Sequence, residues 1–191
     1  MQPHHIRDVL LTEEQIRRRV GELAGELAGS CHGGNVVMIG ILRGSFMFLA
    51  DLVRALYHQG VRPRIDFMTL ASYGAGTTSS GTARMTKDIG LDVTGAEVLV
   101  VDDILDTGRT LNFARQHLLA KGARAVRTCV LLDKPARRMT PFRADHTGFT
   151  ITDRFVVGYG LDYDSHYREL PYIAGVTLLD TAGAGSKADQ D

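Results

Sequence analysis

Apolar residues Ile16, Val20, Leu23 and Leu27 recur at the spacing of one helix face, so this segment predicts an amphipathic helix. Thr12-Glu-Glu-Gln15 in front of it has the form of a capping box, and Gly29 and Gly33-Gly34 end it. Residues 35–42 form a continuous apolar run, β-branched and too short for a helix, which predicts a buried strand. A helix over 45–59 follows, stopped by Gly60 and Pro63, and then a strand over 64–71. Further on, the pattern predicts a strand over 97–101, a helix over 109–121 ended by Gly122, and a strand over 125–132. Strands alternating with helices point to an α/β fold, a parallel sheet with helices on both faces.

Two stretches break the pattern. Residues 72–88 are rich in Gly, Ser and Thr and keep no apolar period, and a loop of that length inside a domain is usually functional or disordered. After Lys134 only short strand-like pieces remain, over 154–158 and 172–179, and residues 181–191 read as a small, polar, flexible tail. With no internal repeat and no linker, residues 1–180 read as a single domain.

Composition narrows the function. The 191 residues are 44% hydrophobic and 23% charged, close to the globular average, which excludes disorder as the main state. The 22 Lys and Arg balance the 22 Asp and Glu, whereas a dedicated nucleic-acid or anionic-membrane binder carries a basic excess. Phosphate recognition must therefore be local to a site. Cys31 and Cys129 are too few and too far apart for a disulfide framework or a metal cluster, and Cys129 sits in a strand-like run as a small buried hydrophobe. No signal-peptide h-region opens the chain, and no apolar run reaches the roughly 20 residues of a membrane span. The expected location is cytoplasmic, with no membrane partner.

The chemistry concentrates in Val98-Leu-Val-Val-Asp-Asp-Ile-Leu-Asp-Thr-Gly-Arg-Thr-Leu111. Four apolar residues make a strand, and the acidic pair Asp102 and Asp103 is placed where it ends. Thr107-Gly-Arg-Thr110 then opens a helix, whose first N–H groups and hydroxyls suit a phosphate, with Gly108 allowing close approach. Carboxylates beside such a cradle repel phosphate, so they suit sugar hydroxyls or a divalent cation. Asp103 or Asp106 could instead merely cap the helix, but one cap does not account for three carboxylates, two threonines and a glycine together. A phosphorylated sugar with Mg²⁺ fits the set. No P-loop, Rossmann fingerprint, zinc spacing or nucleophile elbow competes with it.

This segment resembles the ribose-phosphate signature of type I phosphoribosyltransferases. Leu131-Leu-Asp-Lys-Pro135, Phe155-Val-Val-Gly-Tyr-Gly-Leu-Asp-Tyr163 and Tyr167-Arg-Glu-Leu-Pro171 resemble the purine-binding half of the hypoxanthine(-guanine) branch, and Leu42-Arg-Gly-Ser45 and Ser72-Tyr73 match two of its loops. The likeness runs from about Thr12 to Leu179. It implies the type I phosphoribosyltransferase fold, with a small hood built from the N-terminal segment and the C-terminal strands. It also implies a purine-salvage transferase: ribose 5-phosphate passes from phosphoribosyl pyrophosphate (PRPP) to hypoxanthine, and to guanine, giving IMP, GMP and pyrophosphate.

By position, the resemblance gives each residue a role. Asp102 and Asp103 would hold the ribose hydroxyls and Mg²⁺, and Asp162 a second Mg²⁺. Asp106, Thr107, Gly108, Arg109 and Thr110 would surround the 5′-phosphate, with Asp106 also the acid/base candidate at purine N7. Leu42, Arg43, Gly44 and Arg168 would meet pyrophosphate, and the family has a cis peptide at the position of Leu42–Arg43. Lys134 would donate to the base O6, Phe155 would stack on the ring, and the Val156 backbone would meet its N1/C2 edge. Ser72 and Tyr73 would belong to a flexible lid, and the enzyme would be a homodimer or homotetramer. Arg43 and Arg109 stand where the family often has Lys, which keeps the charge and changes the hydrogen-bond geometry. Two other readings remain: a phosphoribosyltransferase for another base such as xanthine, or a PRPP-sensing nucleic-acid-binding regulator of the same fold.

Overall fold

The computed structural model of the chain describes residues 5–29, 36–72 and 83–177. Strand β1, His5–Leu11, comes first and has no counterpart in the sequence reading. The capping box then forms as read. The Gln15 amide donates to the Thr12 hydroxyl at 3.3 Å, and the Thr12 amide donates to the Gln15 side-chain carbonyl at 2.8 Å. These bonds satisfy donors that a helix start leaves free. They open α1, Glu13–Ala28, whose stripe Ile16, Val20, Leu23 and Leu27 is buried.

The chain continues through β2 (Val36–Leu42), α2 (Phe46–His58), β3 (Arg64–Ser72), β4 (Ala83–Lys87) and β5 (Glu97–Leu105). Then come α3 (Arg109–Ala120), β6 (Ala125–Asp133), β7 (His146–Thr150), β8 (Val156–Val157) and β9 (Ile173–Thr177). The main sheet has the order β4-β3-β2-β5-β6-β7; β3, β2, β5, β6 and β7 are parallel, and β4 pairs antiparallel with β3. Successive residues of a strand face opposite sides, and the central strands are apolar on both. Met38, Leu99 and Val101 pack with α1 and α2, while Val37, Ile39, Val98 and Val100 pack with Leu111, Ala114 and Leu118 of α3. Helices thus cover both faces, as the alternation of elements predicts.

Three expectations need correction. The strand read as 97–101 runs on to Leu105, so Asp102 and Asp103 lie within it, paired along β6 by Asp102↔Val130 and Ile104↔Leu132. The stretch read as a loop over 72–88 contains β4, held only as an edge partner of β3. β7 was not anticipated; it forms the other edge, where Arg19 of α1 donates to the Thr147 and Gly148 carbonyls, each at 2.9 Å. A charged side chain on these edge acceptors is one way a sheet edge is blunted. Cys31, Tyr73 and the tail read over 181–191 lie outside the described residues.

A second, antiparallel sheet, β1-β9-β8, forms the hood from the N-terminal and C-terminal segments. Arg154 secures it, donating to both carboxylate oxygens of Asp8 at 2.7 and 3.0 Å.

Candidate active site

From β2 the chain crosses to β3 on one side of the sheet, and from β5 it crosses to β6 on the other. The strand order therefore reverses between β2 and β5, and ligands of open parallel sheets bind outside the strand ends at such a point. A cleft of about 560 Å³ lies there. One wall is Leu42, the last residue of β2, with Arg43 and Gly44 of the loop that follows; the other is Asp102, Asp103 and the run Asp106 to Thr110. The Leu42–Arg43 peptide is cis. All the residues assigned to ribose, 5′-phosphate and the pyrophosphate loop thus share one cleft, with Arg168 close by.

The acidic pair is electrostatically unusual. Burial drives the Asp102 carboxyl well above the ordinary carboxylate range, and the adjacent Asp103 charge drives it further. Asp103 is raised as well, again by burial first, although its hydrogen bonds and the charge of Arg168 pull the other way. A cation or sugar hydroxyls between these oxygens would relieve both effects. A Cβ on Gly44 would fall on the Asp103 carboxylate, closer than the 3.0 Å that Cβ atoms keep, so only glycine leaves this space.

After β5 the chain makes a tight turn into α3. The helix N-cap is Gly108, in the left-handed region at φ 84°, and no side chain caps it. Neither Asp103 nor Asp106 therefore serves as the cap. A side chain at Gly108 would meet Thr140 Oγ1 at 2.5 Å as well as an unfavourable φ. The Thr107 hydroxyl accepts only a long 3.4 Å contact from the Arg109 amide. Asp106 Oδ1 is buried with no hydrogen-bond partner among the described residues, and Oδ2 is 3.9 Å from Arg137. A buried, unpaired carboxylate oxygen is costly unless a ligand completes it.

Lys134 follows β6 and is buried, with its amide bonded to the Leu105 carbonyl at 3.0 Å. Burial lowers its ammonium pKa, which the negative charge of Asp106 partly opposes. Phe155 is 47% exposed and meets Tyr163 edge-on, with ring centroids 5.5 Å apart. An aromatic face this open, at the root of the hood, is available for stacking. Val156 is buried in β8 beside it. Asp162 and Arg168 bind each other at 2.6 Å, Arg168 donates to the Gly160 carbonyl at 2.6 Å, and the Ser165 amide holds the second Asp162 oxygen at 2.8 Å. Both Asp162 oxygens thus have protein partners. Ser72 ends β3, and Tyr73 lies outside the described residues.

Sequence reading missed Arg137, Arg138 and Met139. Arg137 and Met139 line the cleft, and Arg137 is anchored to Asp153 at 2.7 Å. Two arginines just beyond Lys134-Pro135-Ala136 were the available signal. Among the described residues no three His, Cys, Asp or Glu side chains gather as a metal site. The carboxylates of Asp102 and Asp103 nevertheless suit Mg²⁺, which commonly takes one or two protein carboxylates and completes its shell from water and substrate phosphates.

A family profile described as the phosphoribosyl transferase domain matches residues 7–164. The chain is 48% identical to the hypoxanthine-guanine phosphoribosyltransferase of Aquifex aeolicus (strain VF5), over 86% of this chain and 92% of that one. It is 42% identical to the hypoxanthine phosphoribosyltransferase of Escherichia coli (strain K12), over 92% and 98%. A solved structure of the Trypanosoma cruzi hypoxanthine phosphoribosyl transferase, from work on the role of its C-terminal region in oligomeric state and activity, superposes with a TM-score of 0.84 at 41% identity, over 93% of this chain and 94% of that one. With the strand-order reversal, the acidic strand and the Gly108 turn in one cleft, these matches establish that the chain belongs to the phosphoribosyltransferase family, in its hypoxanthine(-guanine) branch.

Proposed function

We propose that the protein transfers ribose 5-phosphate from PRPP to N9 of hypoxanthine, and of guanine, releasing pyrophosphate with Mg²⁺ as cofactor. The observation that carries this is the joining of a buried acidic pair to a cap-free helix start in one cleft, with a buried lysine next to it. The 5′-phosphate lies against residues 106–110, where the start of α3 and its helix dipole favour an anion. Asp102 and Asp103 hold the ribose hydroxyls. Mg²⁺, when bound, neutralises charge on the leaving pyrophosphate and polarises it. Breaking the bond at C1 leaves positive charge on the ribose and negative charge on pyrophosphate, so fixed charges and positioning carry the catalysis.

Lys134 donates to the purine O6, and Phe155 packs on the ring. Asp106 Oδ1 accepts the proton at N7, which gives its buried, unpaired oxygen a partner. Arg168 holds Asp162 and faces Asp103 electrostatically, so it is placed to receive pyrophosphate.

The protein works in the cytoplasm as a homodimer or homotetramer, and residues 72–88 include its lid. No described helix is long and apolar enough to cross a membrane. Pyrophosphate release from PRPP with a panel of hypoxanthine, guanine, xanthine, adenine and uracil tests the assignment. Turnover with the first two and Mg²⁺ is expected. Turnover with xanthine alone moves the assignment to the related reading, and no turnover with any base removes it. Sedimentation of the purified protein reads the assembly.

A further inference from the structure

We infer that Arg138 is a positioning residue that aims the phosphate-binding turn into the cleft, an inference that rests on the proposed function. Its guanidinium spans two strand ends. Nη1 donates to the Asp106 carbonyl at 2.6 Å and to the Leu105 carbonyl at 3.2 Å, while Nη2 closes on the carboxylate of Asp133, the last residue of β6. The residues after it continue the pattern, because the Met139 and Thr140 amides donate to the Thr107 carbonyl at 3.0 and 3.3 Å. Three successive carbonyls, of residues 105, 106 and 107, are thereby held by residues 138–140.

The consequence follows from peptide geometry. In a planar trans peptide the N–H points opposite to the carbonyl that precedes it, and the one cis peptide among the described residues is Leu42–Arg43. Fixing the Asp106 carbonyl therefore turns the Thr107 N–H the other way, and fixing the Thr107 carbonyl does the same for the Gly108 N–H. These are amides that the proposed function assigns to the 5′-phosphate. The same peptide carries the Asp106 side chain, so Arg138 governs both anion binding and the orientation of the acid/base group without touching substrate. A planar fork with two donor ends matches this arrangement, with Nη1 on the carbonyls and Nη2 on the carboxylate, and the single compact ammonium of a lysine lacks that fixed geometry. The Arg138 stem also packs at Gly108, where an added Cβ would lie 3.2 Å from its Cδ.

Arg138→Ala and Arg138→Lys test this beside the wild type, with folding checked by thermal denaturation. A misaligned turn should lower kcat by roughly 10- to 100-fold. It should also raise KM for PRPP while leaving KM for hypoxanthine within about twofold. Guanidinium at millimolar concentration, far below denaturing levels, should restore part of the Arg138→Ala activity, and sodium chloride at equal ionic strength should not. Wild-type kinetics in either folded variant overturn the inference. So does a loss shared equally by both substrates that guanidinium fails to repair, since that marks a residue important only for folding. Should Arg138→Ala not fold, Arg138→Lys decides by the same kinetic split. An inactive wild type would count against the proposed function, whereas an active wild type with an unaffected variant counts against Arg138 alone.

Discussion

The Asp103 carboxylate occupies the place where any side chain at Gly44 would begin. Gly44 belongs to the loop after β2 and Asp103 to β5, so this contact sets the gap between the two walls of the cleft. Gly44→Ala forces either the loop or the acidic strand to move. A displacement of about 1 Å at reacting groups can cost ~100-fold in rate, and a loss of that order in kcat/KM is expected. Denaturant unfolding should show a smaller change than the kinetics, because the strain can be relieved locally in the loop. Activity within a few-fold of the parent would show that the loop yields without disturbing Asp103.

Base choice follows from Lys134. An ammonium only donates, so it matches the C6 oxygen of hypoxanthine and opposes the amino group of adenine. Buried polar mismatches of this kind discriminate by roughly 10⁴. Adenine should therefore be a negligible substrate by kcat/KM. Lys134→Gln, which can present a carbonyl acceptor, should narrow the ratio mainly by weakening hypoxanthine. Comparable kcat/KM values for the two bases in the parent enzyme would remove Lys134 from base recognition.

Much of this was legible along the chain, for a physical reason. The buried parallel strands are apolar on both faces, and the acidic pair with its turn is contiguous, so both leave strong local signals. What failed was set by pairing across the fold. Asp has low strand propensity, so periodicity ended β5 at Val101, whereas registry with β6 carries it through Asp102 to Leu105. β4 and β7 are edge strands, each bonded to one neighbour within the main sheet, and their half-exposed residues show no apolar period. Arg137 and Arg138 reach the turn from beyond β6, and only the folded chain brings them there.

Asp106 separates chemistry from binding. Asp106→Asn keeps the shape of the side chain and one carbonyl acceptor but removes its basicity. General acid–base help is typically worth about 10²–10⁴ in rate, so kcat should fall within that span while PRPP affinity, read by isothermal titration, changes little. An unchanged kcat, with chemistry shown to be rate-limiting by rapid quench, would reduce Asp106 to a residue of the phosphate turn.

The acidic pair predicts a trade between stability and activity. Burial, and then the Asp103 charge, hold the Asp102 pKa well above its unfolded value of about 3.9. A carboxyl raised on folding binds more protons in the folded state than in the unfolded one between those two values. Stability therefore falls as pH rises through that window. Asp102→Asn removes one titrating member and keeps an oxygen that can accept from the Asp103 amide, as Asp102 Oδ1 does at 3.1 Å. The ligand-free variant should thus melt above the parent near neutral pH, with the gap closing as pH falls toward about 4. For a chain of this size each kcal/mol moves Tm by roughly 2–4 °C, so a gain of a few degrees is readable. Its transferase activity should fall, because an amide holds ribose hydroxyls and a divalent cation less well than a carboxylate. PRPP with Mg²⁺ should then stabilise the parent more than the variant. A Tm difference that is independent of pH, or that favours the parent near neutral pH without ligand, would show that the pair ionises at no cost to the fold.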